Sequence, residues 1–109
     1  MKFYSIVEID FTDRAWVPDY VAKVTAMIGR HGGRYLARTG NFQRVEGERE
    51  PPQLLVLIEW PSRDAALAFY ASAEYAPSLA ARQEGSRGQM YLVPGEDVAR
   101  PGLDLDARS

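Results

Sequence analysis

Two arginines, Arg34 and Arg38, are the strongest candidates for ligand chemistry in this chain of 109 residues. They lie four positions apart in a predicted strand. Alternate residues of a strand share a face, so the spacing predicts that both point to the same side, about 13 Å apart. A guanidinium binds a carboxylate or phosphate through two parallel hydrogen bonds, which favours an anion clamp. The alternative is that both arginines only form ion pairs with Glu8, Glu59 or a carboxylate of a partner chain.

Three carboxylates, those of Glu8, Asp10 and Glu59, are expected on the same sheet face as these arginines. Partial desolvation raises the pKa of a carboxyl group and suits it to general acid–base catalysis. Glu59 and Asp10 are therefore the predicted catalytic residues. The alternative is that these carboxylates neutralise the nearby arginines.

A second group of candidates lies in the helical segment after the third predicted strand. Tyr75 and Arg82 are predicted to bind a ligand at the mouth of a pocket, because a phenol and a guanidinium can both bond to it. Tyr75 is better placed than Tyr70, since it lies beside a predicted break between two helices. The alternative is that the aromatic rings only seal the contact between helix and sheet.

Metal and cofactor chemistry find little support in the residue types. The chain has no cysteine, and its single histidine, His31, falls at the predicted end of a helix, where a structural role is expected. No cluster of histidine and cysteine exists to hold zinc or haem, so no metal site and no cofactor are predicted. The chain also lacks a Ser-His-Asp set, a phosphate-binding loop and a dinucleotide fingerprint.

Hydrophobic periodicity places these candidates on a sheet and its helices. The pattern predicts strands at 3–10, 33–39, 53–60 and 89–93, an edge extension at 42–45, and helices at 17–31, 63–73 and 77–84. The order βαββαβ predicts an α+β, ferredoxin-like fold, a four-stranded antiparallel sheet with both helical segments on one face. Strands one and three are expected in its centre.

Both faces of this predicted sheet are apolar. The set expected under the helices is Val7, Ile9, Ala37, Val56 and Ile58. The set expected on the other face is Tyr4, Ile6, Leu36, Leu55 and Leu57. Helices cover only one face, and an apolar patch of several hundred Å² usually marks an interaction surface. The pattern therefore predicts a homodimer, two sheets packed face to face as a dimeric α/β barrel that encloses the charged residues.

Composition and charge exclude other classes of protein. With 46% hydrophobic and 11% aromatic residues the chain can build a core, and one domain is predicted at 1–94 with a polar tail at 95–109. A net charge of −2 argues against nucleic acid as a partner. The longest apolar run covers residues 54–58, far short of the roughly 20 residues of a membrane helix. The N-terminus does not have the pattern of a signal peptide, so a cytoplasmic protein is expected.

Several short motifs, in order, resemble domain-of-unknown-function family 1330 over about residues 3–93. They are residues 32–38 with 46–47, residues 57–62, and residues 66–75 with Arg82. The resemblance implies the dimeric α/β-barrel superfamily, whose members include cofactor-free monooxygenases, muconolactone-type isomerases and haem-handling enzymes. It implies no reaction for this chain, and the tail after Pro94 is longer than the family pattern needs.

Two functions remain open from the sequence. One is a cytoplasmic homodimer that binds a small anionic or aromatic molecule as a cofactor-independent oxygenase or isomerase. In that function Arg34 and Arg38 hold the ligand, and Glu59 or Asp10 moves a proton. The other is a non-catalytic dimeric module for ligand binding or assembly. The sequence does not decide whether the protein is an enzyme.

Overall fold

A computed structural model describes residues 1–99 of the chain. Its elements are β1 (Phe3–Phe11), α1 (Val17–Arg30), β2 (Arg34–Thr39), β3 (Leu54–Trp60), α2 (Arg63–Tyr70), α3 (Ala76–Gly85) and β4 (Ser86–Pro94). The strands form one antiparallel sheet in the order β2-β3-β1-β4. This confirms the α+β, ferredoxin-like prediction with strands one and three in the centre. Of the predicted tail at 95–109, residues 100–109 lie outside the described residues.

Local sequence signals set the ends of the helices. Pro18 lies in the first turn of α1, where its missing N–H has no partner to lose, and Gly32 follows the helix with a φ of +86°. The Ser62 side chain accepts a hydrogen bond from the Ala65 amide at 3.1 Å and caps α2. Ser72 lies in the short connection between α2 and α3. Its hydroxyl donates to the carbonyl oxygen of Phe69 and so binds a backbone group at the end of α2.

The core lies between the sheet and the helices. Its largest members are Trp60, Tyr75 and Phe69, each almost completely buried. Burial of an aliphatic core side chain such as Ile58 stabilises the fold by about 1.5–3 kcal/mol. The indole N–H of Trp60 donates to the Ser5 hydroxyl at 2.9 Å, so the polar atom of the largest core residue is also satisfied.

A β-bulge in β2 changes which side chains face the helices. Tyr35 lies opposite Ile58 and Ala37 lies opposite Leu57, so Leu36 is an extra residue in the strand. The prediction that Arg34 and Arg38 share a face is wrong, because an extra residue reverses the alternation of every side chain that follows it. Ala37 moves to the open face for the same reason, and Arg38 moves to the helix-covered face.

The connection between β2 and β3 has no strand. The predicted extension at 42–45 is wrong, since these residues pair with no strand and are exposed. Arg44 instead donates to the carbonyl oxygens of Gly47 and Arg49, which keeps the segment folded on itself. Within residues 1–99, no helix has the length and apolar character needed to cross a membrane.

Candidate functional site

A cavity of about 250 Å³ lies between the helix-covered face of the sheet and the three helices. Its walls are mostly apolar, and its polar side chains are Ser5, several tyrosines and two arginines, Arg38 and Arg82. Ligand pockets usually hold about 300–1,000 Å³ and combine apolar walls with a few placed polar groups. The cavity therefore has the composition of a site for one small molecule, although its volume is slightly below that range.

One wall of the cavity is a chain of aromatic rings in contact. The ring centroids of Trp16 and Tyr20 are 5.2 Å apart, and those of Tyr20 and Tyr75 are 6.2 Å apart. The chain continues from Tyr75 to Phe69 at 4.3 Å and from Phe69 to Trp60 at 5.5 Å. Such ring pairs each contribute about 0.5–1.5 kcal/mol beyond area burial, so contacts between the rings stabilise this wall.

Two tyrosine hydroxyls meet at this wall. The hydroxyl oxygens of Tyr20 on α1 and Tyr75 at the start of α3 are 2.6 Å apart, and Tyr75 is only 1% exposed. The Tyr75 amide donates to the Ser72 hydroxyl, so the break between α2 and α3 fixes its position. Burial, and then the neighbouring Tyr75, raise the pKa of Tyr20 far above its usual value. Tyr20 is thus a neutral phenol, which can donate or accept a hydrogen bond.

Arg82 reaches the same cavity from α3. Burial disfavours its charged form, but the adjacent hydroxyls of Tyr75 and Tyr20 outweigh that effect and raise the pKa of the guanidinium. Its Nε atom is buried and has no hydrogen-bond partner among residues 1–99. A buried donor without a partner costs about 1–3 kcal/mol, so an acceptor that reached this N–H of a cavity-lining residue would stabilise the site.

Arg38 borders the cavity from β2. Its guanidinium carbon is 3.7 Å from the centroid of the Tyr35 ring, and its Nη1 donates to the Thr25 hydroxyl at 2.8 Å. Burial raises the pKa of Tyr35, although the cationic Arg38 opposes that shift. The stacked ring and the hydrogen bond hold the guanidinium in one place at the edge of the cavity.

Glu59 lies on the open face of the sheet, away from the cavity. Its Oε1 accepts hydrogen bonds from Lys2 at 2.9 Å and from Arg34 at 3.3 Å. The hydrogen bond from Lys2 and the charges of both cations hold the pKa of Glu59 below its usual value, so it is ionised at neutral pH. The catalytic role of Glu59 stays a prediction, and its contacts are those expected of the ion-pair alternative.

Asp10 also lies on the open face, at the end of β1. Its carboxylate accepts a hydrogen bond from the Gln53 amide at 2.9 Å, and the Gln53 side chain accepts one from the Phe11 amide at 2.7 Å. These bonds tie the start of β3 to the end of β1. The predicted proton transfer by Asp10 stays a prediction, but the position of Asp10 separates it from the cavity.

Sequence reasoning found part of this site. Tyr75 and Arg82 were expected beside a pocket, and both line the cavity. Tyr20 was not expected there. Its spacing of three residues from Val17 and four from Val24 nevertheless places it on the face of α1 that packs against the core. His31 caps the end of α1, as expected.

Acidic and metal-binding groups are scarce around the cavity. The part of its wall formed by residues 1–99 contains no aspartate, glutamate or histidine. Across the same residues, no three His, Cys, Asp or Glu side chains are grouped closely enough to hold a metal ion. The chemistry that this wall offers is therefore hydrogen bonding by phenols, stacking by rings and pairing by guanidinium groups.

Similarity to a known family identifies the class of this protein. The family model described as domain of unknown function (DUF1330) matches residues 2–96. The chain belongs to this family, which confirms the resemblance found in the sequence. None of the curated proteins matches the chain.

Solved structures of low sequence identity share the fold. The RPA0582 protein of unknown function from Rhodopseudomonas palustris is 19% identical, with a TM-score of 0.64 over 88% of this chain and 84% of that one. SnoaB, a cofactor-independent oxygenase from Streptomyces nogalater, is 17% identical, with a TM-score of 0.61 over 91% and 97%. Rv0793 from Mycobacterium tuberculosis is 19% identical, with a TM-score of 0.57 over 91% and 99%. At these identities the similarity establishes the fold alone.

Proposed function

We propose that this protein binds a small aromatic molecule with an acidic oxygen in the pocket between sheet and helices. The observation that carries the proposal is the buried Nε of Arg82, which has no hydrogen-bond partner within residues 1–99 and belongs to the lining of a mostly apolar cavity. A carboxylate, phenolate or enolate oxygen would accept that hydrogen bond and balance the charge of the guanidinium. The flat ring of the ligand would pack against the partly buried rings of Tyr20 and Tyr35, which also line the cavity.

The reaction that best suits this pocket is cofactor-independent oxygenation or isomerisation. A cation beside a ligand hydroxyl lowers the pKa of that hydroxyl and favours the anion. An electron-rich phenolate or enolate is the form that reacts with dioxygen directly or that shifts a double bond by proton transfer. The fold shared with SnoaB, a cofactor-independent oxygenase, supports this reaction class.

A non-catalytic binding module is the second candidate. One observation favours it: the described cavity wall has no carboxylate or imidazole that could act as a general base. The predicted proton carriers, Glu59 and Asp10, lie on the other face of the sheet. A ligand that enters as an anion needs no base in order to bind.

The proposal includes a homodimer in the cytoplasm. The open face carries apolar side chains in the middle of the sheet, and Tyr91 and Leu36 are 53% and 45% exposed. A second copy would cover this face and would enclose the Lys2–Glu59–Arg34 cluster. Light scattering at micromolar concentration is expected to give the mass of two chains, and the mass of one chain would contradict the dimer.

Binding of matched probes tests the ligand class. Titration calorimetry compares naphthalene-2-carboxylate with 2-naphthamide, which has the same shape and no charge. We expect the carboxylate to bind at least tenfold more tightly, since a hydrogen bond to a charged group contributes about 1.5–3 kcal/mol. Arg82→Gln should remove that preference. Arg87→Gln is the control, because Arg87 is exposed on β4 and does not line the cavity.

Equal binding of both probes, or a preference that survives Arg82→Gln, would contradict the proposed ligand class. Catalysis is tested separately with 2-tetralone, an enolisable aromatic ketone. Uptake of dioxygen supports an oxygenase, and accelerated exchange of its α-hydrogens in D₂O supports an isomerase. Carboxylate binding without either activity on 2-tetralone favours the binding module.

A further inference from the structure

We propose that Arg38 is a second anion contact of the same pocket, so that its ligand carries acidic groups at two ends of an aromatic body. This inference rests on the proposed function, because it assumes that the pocket holds the ligand. It identifies Arg38 as a specificity-determining residue and narrows the ligand class to elongated aromatic diacids or hydroxy acids.

The bulge in β2 is the first observation behind this inference. With regular alternation Arg38 would share the open face with Arg34, whereas the extra residue Leu36 places Arg38 opposite Val56 on the helix-covered face. Bulges are over-represented beside active sites, where they redirect a side chain. In this chain the redirected side chain is a cation that borders an apolar cavity.

The second observation is that the Arg38 guanidinium is held in place but not neutralised. The face of its planar group lies on the Tyr35 ring, and a single hydrogen bond joins it to Thr25. A guanidinium has five N–H donors, and Arg38 is exposed at the edge of the cavity, so the donors that Thr25 does not use can exchange water for a ligand. Among residues 1–99, no carboxylate forms an ion pair with Arg38, whereas Arg34 on the open face pairs with Glu59.

The third observation is that the two arginines approach the cavity from different sides of the sheet. Arg38 lies on β2, at one edge, whereas Arg82 lies on α3 and borders a groove along β4, the opposite edge. Two cations that approach one apolar cavity from different sides match a ligand that has an anionic oxygen at each end and a flat body between them.

A dicarboxylate probe tests this inference. Titration calorimetry compares naphthalene-2,6-dicarboxylate with naphthalene-2-carboxylate on the wild-type protein and on Arg38→Gln. We expect the second carboxylate to increase wild-type affinity at least tenfold. Arg38→Gln should abolish that gain and leave the affinity for the monocarboxylate within about twofold. Arg38→Lys, which keeps the charge but loses the planar fork, should retain only part of the gain.

The matched control is Arg34→Gln, which removes an arginine of the same strand from the open face. It should leave the gain intact, and circular dichroism should confirm that every variant is folded. No gain in the wild type, or a gain that survives Arg38→Gln, overturns the inference while the Arg82-dependent binding of the monocarboxylate still stands. Loss of that Arg82 dependence overturns the proposed function itself.

Discussion

Arg34 and Arg38 lie four residues apart on β2, but their surroundings differ. Arg34 lies on the open face and shares the Glu59 carboxylate with Lys2, so its charge is balanced within the chain. Arg38 lies on the helix-covered face, stacked on Tyr35 at the edge of an apolar cavity. The two arginines therefore differ in function: the charge of Arg34 is paired within the chain, whereas Arg38 keeps hydrogen-bond donors for a ligand at the cavity.

The largest effect on stability is expected from truncation of two neighbouring β3 residues, one on each face of the sheet. Ile58 is 5% exposed in the core, so Ile58→Ala should lower the free energy of unfolding by about 2–5 kcal/mol at every protein concentration. Leu57 lies on the open face, and the cost of Leu57→Ala should depend on protein concentration, because a second copy covers it in the proposed dimer. Urea unfolding at several concentrations measures both. A concentration-independent cost for Leu57→Ala would contradict the dimer.

A smaller effect is expected at the tyrosine pair. Tyr75→Phe keeps the ring against Phe69 but removes the hydroxyl that bonds to Tyr20. We expect the free energy of unfolding to fall by about 0.5–1.5 kcal/mol, because one hydrogen bond is lost and Tyr20 keeps an unpaired hydroxyl. Thermal unfolding measures the loss, with Tyr70→Phe as the control, since Tyr70 is exposed and makes no such bond. An equal loss in both variants would contradict the role of the pair.

The smallest effect is expected at Glu59 and is visible as a pH dependence. The folded state holds the pKa of Glu59 below its usual value of 4.5, so the ionised carboxylate stabilises the fold above that pH. The contribution is lost as the pH falls through the lowered pKa. We therefore expect Glu59→Gln to be less stable than wild type at pH 7 and equally stable at pH 2–3. A constant difference between pH 7 and pH 2 would contradict the ion-pair role.

The sequence predicted the fold well because the fold follows from patterns that local chemistry fixes. The alternation in β1 and β3, the stripe of α1 and the Ser62 cap each depend on neighbouring residues. The same rule assigned the side chains after Leu36 in β2 to the wrong faces. Nothing in the residues around Leu36 distinguishes a bulge from a regular strand.

The candidate site was harder to predict because it depends on contacts between distant elements. Tyr75 was expected through the helix break that precedes it, and Arg82 through its place in the helical segment after the third strand. The bond between Tyr20 and Tyr75 joins residues 55 positions apart, which no local pattern reveals. The lack of a partner for the Arg82 Nε within residues 1–99 likewise depends on everything packed around it.

A crystal structure of the protein with naphthalene-2-carboxylate would show whether the pocket between sheet and helices binds an acidic aromatic molecule. We expect the naphthalene ring against the aromatic wall, with a carboxylate oxygen within hydrogen-bond distance of the Arg82 Nε. A ligand bound instead to Arg34 on the open face, with the cavity between sheet and helices unchanged, would contradict it.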